Sequence, residues 1–202
     1  MSSIPELTGG RALNHGIGML VDHGRGGGAK MYVGGQAASK TAASATLTNT
    51  DVETALDSLA IPANALVAGS TIRVKSIGVA PATNSTDTLQ IWLSLGPTTT
   101  ALAAREEVLA TLLVNATNDD VWYIDAIIQV RTIGATGTAV AMVEYQDPDA
   151  VGTAKKSIIK ASFTLNSTVE QTLSVSAQWS VAAAGNQCRS DIFVVDIVNP
   201  ST

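Results

Sequence analysis

The chain has 202 residues, of which 46% are hydrophobic, only 4% aromatic and 14% charged, with a formal net charge of −5. That length suits one well-cored domain with appendages, and a single cysteine (Cys188) with two histidines (His15, His23) excludes an intramolecular disulfide and a cysteine–histidine zinc set. The acidic balance excludes electrostatic nucleic-acid binding by the body, no apolar run reaches membrane-spanning length and no secretory signal is evident, so the sequence reads as a soluble protein made in a cytoplasm.

Residues 1–45 hold ten of the seventeen glycines and carry four bases against two acids, a balance of +2 against −7 for the remainder. With neither helical nor strand periodicity, this segment reads as an extended N-terminal arm, held in place by neighbouring subunits because glycine loses the most entropy on ordering. Its stretch "VDHGRGGGAKMYVGG", Val21 to Gly35, resembles a phosphate-cradling loop. A Walker loop fails at Ala29 and Met31, which stand where a glycine and a hydroxyl are needed. The dinucleotide pattern fits Gly24, Gly26 and Ala29, but it needs a following helix to present its N-terminus, and Gly34 and Gly35 stop one. The arm is therefore a candidate attachment segment, with Arg11, His15, His23, Arg25 and Lys30 as contacts to an acidic partner surface.

From residue 46 onward, short alternating runs are divided by turn residues. A helical turn over Asp51 to Ser58 and an edge strand over Leu56 to Ile61 come first, and Pro62 ends that strand. Gly69 makes a tight turn into "STIRVKSIGV". "TLQIWLSL" then places Leu89, Ile91, Leu93 and Leu95 inward and Thr88, Gln90, Trp92 and Ser94 outward, the period-two signature of a strand covered on one side. A turn over Ala101 to Glu107 leads to "VLATLLV", and "VWYIDAIIQVRTI" turns through "GATG" into "TAVAMVEY", a hairpin signal. "KSIIKASFTL" follows. "QTLSVSAQWSV" puts Leu173, Val175, Ala177, Trp179 and Val181 inward against Thr172, Ser174, Ser176, Gln178 and Ser180, and "DIFVVDIV" closes the chain. Eight principal strands without a 20–50-residue repeat predict an all-β, antiparallel two-sheet jelly-roll sandwich over residues 46–202, with the glycine-rich arm at 1–45.

The phrases "SLAIPANALVAGSTIRVKSIGV", "TNSTDTLQIWLSLG", "VWYIDAIIQVRTIGATGTAVA" and "FVVDIV", together spanning residues 58–198, resemble a jelly-roll module of tailed-bacteriophage virion proteins. In such modules an I-P-A-N-x-L-x-x-G phrase leads into the first long strand and R-T-I-G-x-x-G forms a hairpin. The resemblance implies a structural protein of the virion, with capsid decoration or cement, head fibre and tail parts all sharing the module. The expectation for this chain is a homotrimeric decoration protein on the capsid surface, with the major capsid protein as partner.

Chemistry is sparse. The pairs Glu106–Glu107 and Asp119–Asp120 fall on opposite sides of a strand, and "DPDAVGT", Asp147 to Thr153, lacks the ligand spacing of a calcium loop. No serine sits in a nucleophile-elbow frame. The sequence predicts no enzyme and no cofactor. Outward Trp92, Tyr123 and Tyr145 are candidate inter-subunit contacts. The alternative is a carbohydrate-binding β-sandwich of a fibre, tail or lectin, in which those aromatics stack a sugar.

Overall fold

The computed structural model describes residues 17–19, 33–83, 86–113, 119–147 and 154–199. Twelve strands form among them: β1 (Ile17–Met19), β2 (Val33–Ser39), β3 (Leu47–Thr48), β4 (Thr54–Ile61), β5 (Thr71–Ala82), β6 (Leu89–Pro97), β7 (Glu106–Leu113), β8 (Asp120–Thr132), β9 (Thr138–Asp147), β10 (Ala154–Thr164), β11 (Gln171–Trp179) and β12 (Gln187–Asn199), with one short 3-10 turn at Leu102–Ala104. They make two antiparallel sheets. The larger has the order β1-β2-β12-β5-β8-β9-β10 with β3 also on β12, and the smaller has the order β4-β11-β6-β7. The chain is thus the all-β, two-sheet sandwich that the alternating runs predict. β11 returns to lie between β4 and β6, and β12 to lie beside β5, the long-range closure typical of Greek-key sandwiches.

Inward residues of both sheets share one core. Leu89, Ile91, Leu93 and Leu95 from β6 and Leu173, Val175, Ala177 and Trp179 from β11 meet Ile72 and Val74 from β5, Trp122 to Val130 on alternate positions of β8, and Phe193 and Val195 from β12. Trp122 lies so close over Gly78 that a Cβ there would stand 2.2 Å from the indole ring and 2.2 Å from the Arg189 carbonyl oxygen. Only glycine fits at that crossing. The I-P-A-N-x-L-x-x-G phrase is a fastening loop. Asn64 takes φ 60, Gly69 φ 88, Leu66 plugs the core, and the Ser70 hydroxyl donates to Asn199 Oδ1 at 2.6 Å. The "GATG" hairpin has Gly134 at φ 111, with its N–H donating to the Ser167 hydroxyl at 2.8 Å.

Three expectations change. Asp51 to Ser58 holds no helical turn, because β4 occupies Thr54–Ile61 as the edge of the smaller sheet. Val181 lies beyond the end of β11 and is exposed rather than inward. Part of the arm is also sheet, since β2 pairs with β12 from Val33↔Asn199 to Ser39↔Val194. That pairing needs only backbone N–H and C=O groups along the free edge of β12, so it leaves no side-chain periodicity to read. Beyond it, Lys40 bridges the two sheets: its Nζ reaches Asp57 on β4 at 2.8 Å and donates to the Ser190 carbonyl of β12 at 2.9 Å.

Candidate functional site

Arg11, His15, His23, Arg25 and Lys30, together with the glycine-rich stretch around them, lie outside the described residues. The carboxylate pairs do not converge where they are described. Asp119 is exposed at φ 62 while Asp120 is buried, and Glu106 pairs with Lys160 at 2.7 Å. No group of three or more metal-capable side chains gathers among the described residues. Cys188 is fully buried, and burial pushes its thiol pKa up to about 12, which makes it an inert core residue as expected.

The three aromatics expected to face outward separate. Tyr123 does so: it sits on the outer face of the larger sheet, donates its hydroxyl to Asp125 Oδ2 at 2.8 Å and lies with Lys75 Nζ 5.5 Å from its ring centroid. Tyr145 does not. It is 4% exposed and shares the inward phase of Ala139, Ala141 and Val143 on β9, because the alternation runs from the odd-numbered residues there. Trp92 keeps its outward phase on β6 but is 7% exposed, so that face of the smaller sheet is itself covered. Neither can stack a ligand at the surface.

On the larger sheet the outer face is open and partly apolar. Across its strands run two adjacent rows of side chains. One is Val194–Lys75–Asp125–Glu144–Ser157, and the next is Asp196–Arg73–Ile127–Met142–Ile159. In the second row Ile127 is 40% exposed, Met142 45% and Ile159 79%. Ile159 was legible as a candidate, because the adjacent Ile158–Ile159 cannot both point inward from a strand; Met142 was not, since placing Tyr145 outward puts Met142 in the inward phase.

The smaller sheet presents the opposite chemistry. Its outward row on β11, expected to be solvated, is sealed by side chains folded over it. Thr98 shares a 2.9 Å hydrogen bond with Thr172, Arg105 Nη1 donates to Ser174 at 2.8 Å, Ser176 donates to Glu53 Oε1 at 2.6 Å, and Gln178 Nε2 donates to the Asp51 carbonyl. Thr172, Ser174 and Ser176 are buried.

This seal stops at the end of the sheet, and a polar cleft of about 230 Å³ opens there, lined by Asp51, Thr88, Gln90, Gln178, Trp179 and Ser180. Gln90 and Gln178 are register partners on β6 and β11. The Thr88 N–H donates to Ser180 Oγ at 2.9 Å and the Ser180 N–H to the Thr88 carbonyl at 2.9 Å, which fixes the floor. The carboxamide of Gln90 and the carboxylate of Asp51 have no partner among the described residues. The sequence hid this pairing because register between distant strands leaves no local mark; outward glutamines on both strands were the sole signal.

No family model matches the chain, and no curated protein sequence does. Among solved structures, the CBM2 module of the evolved Dit of Lactobacillus casei BL23 phage J-1 is similar at 14% identity and a TM-score of 0.31, over 70% of this chain and 68% of that one. Lectin UEA-II complexed with galactose is similar at 11% identity and 0.33, and lectin II from Ulex europaeus at 12% and 0.33, each over 83% of this chain and 92% of the lectin. All are weak likenesses between β-sandwiches.

Proposed function

We propose that the chain is a non-catalytic structural module of a bacteriophage particle, an oligomeric decoration or cement protein that works by surface contact with the major capsid protein and with its own copies. The observation that carries this reading is the exposed row Ile127–Met142–Ile159 on the outer face of the larger sheet, since apolar side chains clustered on one open face mark contact surfaces. The phage context rests on the phrases at 58–79 and 121–141, in which Gly69 and Gly134 take positive φ at turns. Sedimentation velocity of the full chain at micromolar concentration is expected to give a closed oligomer, a trimer, and quantitative mass spectrometry of purified particles to find the chain at a fixed ratio to capsid protein. A strict monomer absent from particles overturns the reading.

A second reading, a carbohydrate-binding module, is favoured by the polar cleft beside Gln90 and Gln178. Titration with neutral glycosides separates it from the first.

A further inference from the structure

We propose that this cleft binds one ring of a neutral, hydroxyl-rich ligand at the end of the sandwich opposite to the paired residues Val33 and Asn199. The proposal rests on the second reading above and gives it a site and an orientation.

The lining chemistry selects the ligand class. Gln90 and Gln178 each carry a carbonyl acceptor and an NH₂ donor, Thr88 and Ser180 carry hydroxyls, and Asp51 adds an acceptor-only carboxylate. Vicinal hydroxyls need donors and acceptors side by side, which carboxamides and hydroxyls supply. No lysine or arginine lines the cleft, and Asp51 is exposed within it, so phosphates, sulfates and sugar acids are disfavoured by charge. A volume of about 230 Å³ lies below the range of drug-sized pockets and suits a single ring. Trp179 contributes no stacking surface, because its side chain is fully buried beneath the floor. A ligand of that size held by hydrogen bonds alone binds with a Kd of about millimolar, and useful retention then needs many copies.

Topology sets the orientation. Asp51, Thr88 and Ser180 lie at the end where β4, β6 and β12 begin and β5, β7 and β11 finish. Val33, the first residue of β2, is paired with Asn199 at the other end, and β1 pairs beside it. The start of β2 and the end of β12 therefore lie at one end and the cleft opens at the other, separated by the length of β6, roughly 30 Å.

The test uses the ¹⁵N-labelled full chain with methyl galactoside and methyl glucoside as neutral probes and N-acetylneuraminic acid as the anionic one. Saturable shifts of the Gln90 and Gln178 side-chain NH₂ resonances with at least one neutral probe, weakened about five- to tenfold in Gln90→Ala, are expected. Gln90→Glu, which keeps the stem and adds charge, should weaken binding as well while leaving the backbone spectrum unchanged. The sugar acid should shift nothing until Asp51→Asn removes the repulsion. A bulky maleimide at Ser180→Cys, selective because Cys188 is buried, should block glycoside binding and leave sedimentation unchanged. Absence of saturable shifts with both neutral probes at tens of millimolar, or shifts that persist in Gln90→Ala, overturns the site. Neither result touches the oligomer, which is read separately by sedimentation.

Discussion

The two outer faces of this sandwich invert the usual rule. On the larger sheet Ile127, Met142 and Ile159 are apolar yet exposed; on the smaller one Thr172, Ser174 and Ser176 are polar yet buried. Thr172, Ser174 and Ser176 can be buried there because each is hydrogen-bonded by a side chain reaching over, from Thr98, Arg105 and Glu53, and a buried hydroxyl with a partner costs little. The larger sheet has no such flap among the described residues, so its apolar row stays exposed. A face sealed by its own chain serves the fold, and the open face is the one to which the proposed function assigns contact. The cleft lies where the first of these gives out.

The comparison presumes that both sheets share one core behind those faces. Leu93 is fully buried at its centre, so Leu93→Ala should cost about 2–5 kcal/mol through lost transfer energy and the cavity left behind. A wild-type denaturant midpoint would mean that the inner and outer faces of β6 have been interchanged. Gly78→Ala tests the larger sheet from within. Its new methyl has no room between Trp122 and the Arg189 carbonyl, so strand β5 must shift, at about 1–3 kcal/mol. The thermal midpoint should fall, and a midpoint unchanged within error would show that this crossing is looser than its distances imply.

Much of this architecture was legible beforehand, and the gaps have physical causes. Alternation in "TLQIWLSL" and "QTLSVSAQW" located β6 and β11 and their core residues, since burial on one face forces a period of two. The same alternation could not show whether the second face is wet. Trp92 and Ser174 carry the outward phase just as Tyr123 does, yet both are buried, and for Ser174 the group that reaches over it is the distant Arg105. Tyr145 was misplaced because an aromatic following Glu144 reads equally well in either phase. β2 was missed because edge pairing uses backbone alone. The cleft depends on the register Gln90↔Gln178, which nothing local to either strand reveals.

Cys188 sharpens the inner-face half of the comparison through pH. Burial raises its thiol pKa from the ordinary value of about 9 to about 12. Above pH 9 the unfolded chain releases this proton while the folded chain keeps it, so the unfolded state gains. The contribution of this group to stability is complete below about 9 and is lost as pH rises toward about 12, by up to about 1.4 kcal/mol per unit. Cys188→Ala should remove that part of the slope in denaturant titrations between pH 8 and 10. An identical slope in the variant would mean that the thiol titrates freely.

The seal over β11 is tested by Arg105→Ala. The guanidinium donates to Ser174 at 2.8 Å and to the Thr100 carbonyl at 3.2 Å, so removing it opens one polar group of the row to solvent instead of stranding it dry. The expected loss is about 1 kcal/mol by chemical denaturation. The paired change Arg105→Ala with Ser174→Ala should cost less than the sum of the single changes, because the two share one interaction. Strict additivity would show that the flap covers Ser174 without bonding it.

A small effect on folding and the most telling one on function belong to the open row. Ile127 and Ile159 sit in one row of the larger sheet with Met142 between them, and water already reaches all three. Replacing Ile159, which is 79% exposed, with serine should change the stability of a dilute sample by less than about 0.5 kcal/mol, and replacing Ile127, which the monomer covers by more than half, by about 1 kcal/mol. In a closed oligomer the same atoms are taken out of water by a neighbouring copy, and a hydroxyl placed there has no partner. Ile127→Ser with Ile159→Ser should therefore shift the sedimentation coefficient at micromolar concentration from oligomer to monomer while the circular dichroism spectrum is unchanged. Substituting serine for Val52, which is exposed at the opposite edge before β4, provides the control: an exposed apolar residue outside the row should leave association intact. If the Val52 change dissociates the oligomer and the paired isoleucine change does not, the contact surface lies on the smaller sheet's side and the inversion between the two faces loses its functional meaning.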